Sequence, residues 1–137
     1  MSVPIIINRD LHKALLLANT IKTLGHSVVS EWVVSVDPGF TLTPPEVFFR
    51  DAKGVRESDI LVAEISVPSH GVGMEIMLAH LRQKKIICLF QNSSPVSRMV
   101  QGIPEVTLVE YAGENELVEK LKKELNSIDG QKERNQV

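Results

Sequence analysis

Asp59-Ile-Leu-Val-Ala-Glu-Ile-Ser-Val-Pro-Ser-His-Gly-Val-Gly-Met-Glu75 is the stretch whose reading decides the fold. The largely apolar run 60–65 reads as a strand buried on both faces, and after Gly73 the apolar positions change to helical spacing. Between them lies a loop of small residues. Pro68, Ser69, Gly71 and Gly73 permit tight turns and close backbone approach, so free N–H groups can face an anion where the helix begins. Glu75 stands at the entrance of that helix.

The chain has 137 residues, 43% hydrophobic and 23% charged, which is enough for one domain with a covered sheet. A net charge of −2 supplies no basic field to collect a nucleic-acid polymer or an anionic membrane, although a small anion could still bind locally. The one cysteine, Cys88, lies in the apolar run 86–90 and reads as a buried structural thiol. No signal-peptide pattern opens the sequence and no apolar run approaches the roughly 20 residues of a membrane span. The expected setting is a reducing, cytoplasmic compartment.

Outward from the central stretch, residues 3–7 read as a first strand, with Pro4 tolerated only near its start or at an edge. Asn8 or Asp10 can cap a helix over 11–24, whose apolar face carries Leu11, Ala14, Leu15, Ala18, Ile21 and Leu24 before Gly25. Residues 27–36 are rich in β-branched side chains and predict a second strand ending at Asp37-Pro38-Gly39. Thr43-Pro44-Pro45-Glu46 predicts a helix start, with Phe48, Ala52 and Val55 inward and Asp51 at the margin of that face. Residues 85–90 and 106–111 predict further strands, 96–100 a short helix and 115–125 an amphipathic helix. Residues 126–137 read as a polar, disordered tail. The resulting expectation is a single α/β domain over 1–125, a mostly parallel five-stranded sheet flanked by helices in a Rossmann-like, doubly wound arrangement. Ligands of such sheets bind beyond the C-terminal strand ends, where residues 8–10, 31–37, 66–75 and 91–97 collect.

Several residues at that edge admit both a structural and a chemical role. Glu75 can be an acid favoured by the helix dipole, or a nucleophile kept ionised by it that traps an anomeric carbon as a glycosyl ester. Ser69 with Gly71 and Gly73 can be a plain cap and loop or a phosphate cradle. Asp51 can be a solvated helix acid or can orient a sugar hydroxyl. Glu64, in an apolar strand, is either a buried anchor or a site residue. The histidines, His70 included, have no metal-ligand spacing.

The pattern of 59–75, followed by Lys85-Ile-Ile-Cys-Leu-Phe90, resembles the 2'-deoxynucleoside 5'-monophosphate N-glycosidases (Rcl type) of the nucleoside 2-deoxyribosyltransferase superfamily. The likeness covers residues 51–102. It implies Glu75 as the nucleophile on C1' of the sugar, and Asp51, eight residues before Asp59, as the group that positions deoxyribose and assists the leaving base. It implies Ser69 with the Gly71 and Gly73 backbone as the 5'-phosphate site. Ser97, with Ser94 as second choice, would reach the phosphate of a neighbouring subunit in a homodimer with shared sites. The family's first loop carries an aromatic residue, a glycine and an arginine; here 5–10 is shorter, has neither tyrosine nor glycine, and offers Arg9 as the matching cation. The function implied is hydrolysis of a nucleoside 5'-monophosphate to free base and sugar 5-phosphate, without metal or organic cofactor. A deoxyribosyltransferase and a non-catalytic nucleotide binder are the alternatives.

Overall fold

The computed structural model describes residues 2–3, 5–6, 10–35 and 41–135. Three full strands form the centre of the sheet: β4 (Ile60–Glu64), β5 (Lys85–Gln91) and β6 (Thr107–Tyr111). The two-residue β2 (Ile5–Ile6) lies on the outer side of β4, so the parallel order is β2-β4-β5-β6. A separate parallel ladder pairs β1 (Ser2–Val3) with β3 (Ser27–Val28). The expected single five-stranded sheet is therefore replaced, among the described residues, by a four-stranded ladder and a two-residue one. Pro4 stands between β1 and β2 in the sequence and has no N–H to give to either.

The helices are α1 (Leu11–Thr23), α2 (Pro44–Arg56), α3 (His70–Leu81), the one-turn α4 (Arg98–Gln101) and α5 (Glu114–Asn135). Strand pleating sorts the core into two layers. Ile60, Val62, Ile87 and Leu89 meet Leu17 and Ile21 of α1 and Leu117, Leu121 and Leu125 of α5. Leu61, Ala63, Ile86 and Cys88 meet Val55 of α2 and Val72, Ile76 and Ala79 of α3. Such two-sided burial is why β4 and β5 are almost continuously apolar.

The expected strand over 27–36 is mostly absent: β3 ends at Val28 and the chain turns into a 3-10 helix, Glu31–Val34. β-Branched residues favour strands through side-chain packing, and here Val33 and Val34 find it against the core without a ladder. Asp37, Pro38 and Gly39 lie outside the described residues, as do Asn8 and Arg9. Asp10 is the α1 cap, accepting from the Lys13 N–H at 3.0 Å. Leu11 and Leu15 are exposed and Leu17 takes the core position, a rotation of the expected α1 face. On α2 the inward residues are Ala52, Gly54 and Val55, while Phe48 is 55% exposed.

The largest correction is at the C-terminus, where α5 runs without a break through 126–135. Ile128 packs against the core and Asp129 lies 3.1 Å from His26, a pairing of distant residues that local polarity does not reveal. A chain ending at Leu125 is expected to lose about 2 kcal/mol of stability in urea titration. An unchanged midpoint would show that this extension contributes nothing.

Candidate active site

α2 and α3 meet along a cleft of about 570 Å³, within the size range of small-ligand sites. α2 is started by a full capping box: the Thr43 N–H donates to Glu46 at 2.7 Å, and Pro44 occupies the first turn. The helix then projects Val47, Phe48 and Asp51 into the cleft. From the facing side α3, capped by Ser69 through the Val72 N–H at 3.4 Å, contributes Gly71, Met74, Glu75 and Leu78. Asp51 and Glu75 are the only ionisable side chains among the described residues lining this otherwise apolar cleft.

Their electrostatics are those of a coupled acid pair. Burial, reinforced by the nearby Asp51 charge and partly offset by Arg50, pushes the Glu75 carboxyl up to about 8. The helix dipole, expected from sequence to keep Glu75 ionised, does not prevail. α3 begins at His70, which puts Glu75 in its second turn, beyond the short reach of the dipole, so desolvation prevails. Arg50 donates from Nε to Asp51 Oδ1 at 2.8 Å. At neutral pH the Glu75 carboxyl thus keeps its proton.

The folded protein holds this proton up to about pH 8, whereas the unfolded chain releases it near 4.5. The contribution of Glu75 to stability is therefore full below about pH 4.5, falls as the pH rises towards 8, and is level beyond. Glu75→Gln cannot ionise. It is expected to be more stable than the wild type by about 4 kcal/mol at pH 8 and by less than about 1 kcal/mol at pH 5, measured by urea titration. A gain independent of pH would contradict the burial of this carboxylate.

The remaining expected site residues fall elsewhere. Ser69, Gly73 and Ser97 line a second hollow of about 180 Å³ with Val72, Pro95 and Val100. Helical spacing puts 69, 72, 73 and 76 on roughly the opposite side of α3 from 71, 74, 75 and 78. Gly71 thus sits with the carboxylates, while Ser69 and Gly73 sit with Ser97. Ser97 caps α4, accepting from the Val100 N–H at 3.4 Å, and Ser94 is outside the hollow's lining. His70 is exposed in the first turn of α3.

Glu64 is an anchor. Only 4% exposed, it accepts from the Ser66 N–H at 3.1 Å, the Ser66 hydroxyl and the Tyr111 hydroxyl at 3.1 Å, with Lys13 Nζ 3.8 Å away. Burial raises the Tyr111 phenol above its ordinary value, so it remains a donor. Ser66 also accepts from the Gln91 N–H at 2.9 Å, which ties the loop after β4 to β5. The buried carboxylate is thereby satisfied, and it fixes where the loop leaves the sheet. Cys88 is fully buried and burial pushes its thiol up to about 12, which makes it inert. Among the described residues no three His, Cys, Asp or Glu side chains are grouped to hold a metal, and no helix is long and apolar enough to cross a membrane.

A protein of Thermofilum pendens named 2'-deoxynucleoside 5'-phosphate N-hydrolase 1 is 43% identical over 108 residues, spanning 75% of this chain and 74% of that one. The chain belongs to the 2'-deoxynucleoside 5'-phosphate N-hydrolase family. A family member of Syntrophotalea carbinolica is 44% identical over 73 residues, 52% of this chain and 51% of its own length. The 5-hydroxymethyl-dUMP N-hydrolase of Tetraodon nigroviridis is 41% identical over 70 residues, 48% of this chain and 49% of that protein. No family model matches the chain. The N-hydrolase fold is shared with a solved CMP N-glycosidase of Clostridium botulinum, at TM-score 0.68 and 24% identity over 88% of this chain and 98% of that one. It is shared also with a 2-deoxyribosyltransferase of Bacillus psychrosaccharolyticus, at TM-score 0.65 and 13% identity over 86% and 90% of the two chains.

Proposed function

We propose that this N-hydrolase cleaves the N-glycosidic bond of a 2'-deoxynucleoside 5'-monophosphate, releasing the free base and deoxyribose 5-phosphate, in the cytoplasm. The observation that carries the reading is the pairing of Glu75 and Asp51 in one largely apolar cleft, with Glu75 holding its proton to about pH 8. In the productive state that proton moves to Asp51. Glu75 then bonds to C1' as the C1'–N bond breaks, and Asp51 gives the proton to the departing base nitrogen. Water next adds its oxygen to C1', its proton goes to Asp51, and Glu75 leaves as the carboxylate, which is the double displacement of a retaining glycosidase. The apolar walls exclude competing water and strengthen these charge interactions. Incubation with each canonical nucleoside and deoxynucleoside monophosphate, followed by chromatography, is expected to show free base. Binding without base release would overturn the hydrolase reading, and transfer of the sugar to an added base would convert it to a transferase.

Phosphate binding in this proposal uses the Ser69 hydroxyl and the Gly71 and Gly73 amides of one chain and Ser97 of a second copy. Arg9 remains a candidate phosphate cation by sequence alone. The homodimer in which each cleft is completed by Ser97 of the second copy comes from the family resemblance; within one chain Ser97 shares its hollow with Ser69 and Gly73, on the far side of α3 from Glu75. Exposed Phe48, Met74 and Leu81 give the α2–α3 face apolar surface for such an association. Mixing inactive Glu75→Gln with inactive Ser97→Ala tests it, because heterodimers then carry one intact shared site. Recovery of about a quarter of the wild-type site count is expected. No recovery, or a fully active monomer by light scattering, would reject shared sites.

A further inference from the structure

We propose that Arg50, seated on the indole ring of Trp32, is a positioning residue that aims Asp51 at Glu75 and sets the charge balance of the cleft. The proposal rests on the hydrolase reading and extends it to residues that do not line the site. Arg50 and Asp51 are adjacent on α2, and neighbours on a helix point about 100° apart, so an ion pair between them does not form by default. Here it does form, with Nε 2.8 Å from Oδ1, because the guanidinium is folded back over Trp32, its central carbon 4.6 Å from the ring. Trp32 comes from the 3-10 turn Glu31–Val34, a separate segment.

Gly54 completes the arrangement. One turn beyond Arg50 on the same helix, it lies under the indole, and a Cβ there would stand 3.1 Å from the Trp32 ring. A Cβ at 54 would therefore require the indole to shift by a few tenths of an ångström. Trp32 thus bridges Gly54 and Arg50, and Arg50 bridges Trp32 and Asp51. Arginine is suited to this place by its planar face, which stacks, and its fork of donors, which a lysine lacks. The charged groups acting on Glu75 are Asp51 and Arg50, both from α2: Asp51 discourages its ionisation and Arg50 favours it. Arg50 consequently has two separable effects, one geometric through Asp51 and one electrostatic on Glu75.

Four variants separate them: Arg50→Gln, Arg50→Lys, Trp32→Leu and Trp32→Phe. Each is read in two ways, by titration of the Glu75 carboxyl in carbon-detected NMR without substrate, and by kcat and KM for base release. Arg50→Gln is expected to move the Glu75 midpoint upward and to lower kcat about 10- to 100-fold, with KM changed by less than about threefold. Arg50→Lys keeps the midpoint and loses kcat about tenfold, because charge is retained and the stacked geometry is not. Trp32→Leu lowers kcat to a similar degree, and Trp32→Phe, which keeps an aromatic face, recovers to within about threefold of wild type. Wild-type kcat and midpoint in Arg50→Gln would overturn the proposal. So would an equal loss in all four variants with an unmoved midpoint, since a purely structural role predicts that pattern. If the wild type releases no base, the functional reading fails, and the NMR arm still decides whether Arg50 governs Glu75.

Discussion

Glu75→Ala is expected to release base at least roughly 10³-fold more slowly than the wild type, with nucleotide binding largely retained. In the proposed mechanism the loss falls on kcat, because the carboxylate bonds to C1' only as the reaction proceeds, whereas phosphate and base contacts hold the ground state. Glu75→Gln should lose as much, since an amide of the same shape cannot form the glycosyl ester. It differs from alanine in one respect that isolates the chemistry. The alanine variant leaves a hole beside the reacting carbon, so millimolar formate is expected to restore part of the rate there and none in the filled glutamine site. Base release at near wild-type rate in either variant, followed by chromatography, would remove Glu75 from the nucleophile role.

Above about pH 8, kcat/KM is expected to fall tenfold for each further pH unit. The pair must carry one proton for the leaving base, and Glu75, its resting holder, gives that proton up at about 8 in the free protein. With both carboxylates ionised the cleft has no acid and also repels a phosphate-bearing substrate. Asp51→Asn should lower kcat about 10²- to 10⁴-fold and abolish the alkaline limb, because the proton then has no catalytic destination and Glu75 loses the like charge that raises it. A wild-type rate that climbs through pH 8 would mean that ionisation of Glu75 alone limits the reaction, and the shared-proton mechanism would fail.

The cleft joins two segments that are separated by a strand and a loop. Asp51 and Glu75 are 24 positions apart, and only the packing of α2 on α3 puts them in one apolar space. Each could be singled out in sequence, with its catalytic role implied by the family resemblance. Neither the direction of the Glu75 shift nor the partition of Ser69, Gly73 and Ser97 to the other side of α3 could be, because both depend on which helix face meets which neighbour. Glu64 makes the same point: its oddness in an apolar strand is visible in sequence, but its resolution needs Tyr111, 47 residues away. Trp32, Arg50 and Gly54 carried no recognisable signal at all, since nothing local shows that a tryptophan in a valine-rich stretch will lie on a distant helix.

By itself the sequence determined the strand-loop-helix over 59–75, the alternation of parallel strands with helices, and the caps at Thr43 and Ser69. These follow from hydrophobic period and turn chemistry, which act within a few residues. Tertiary structure alone decided that residues 31–34 coil instead of extending, that α5 continues past Leu125 onto His26, and that Glu75 keeps its proton. Each of those outcomes is set by burial against residues remote in the chain, and burial is a property of the packed molecule that no short window of sequence contains.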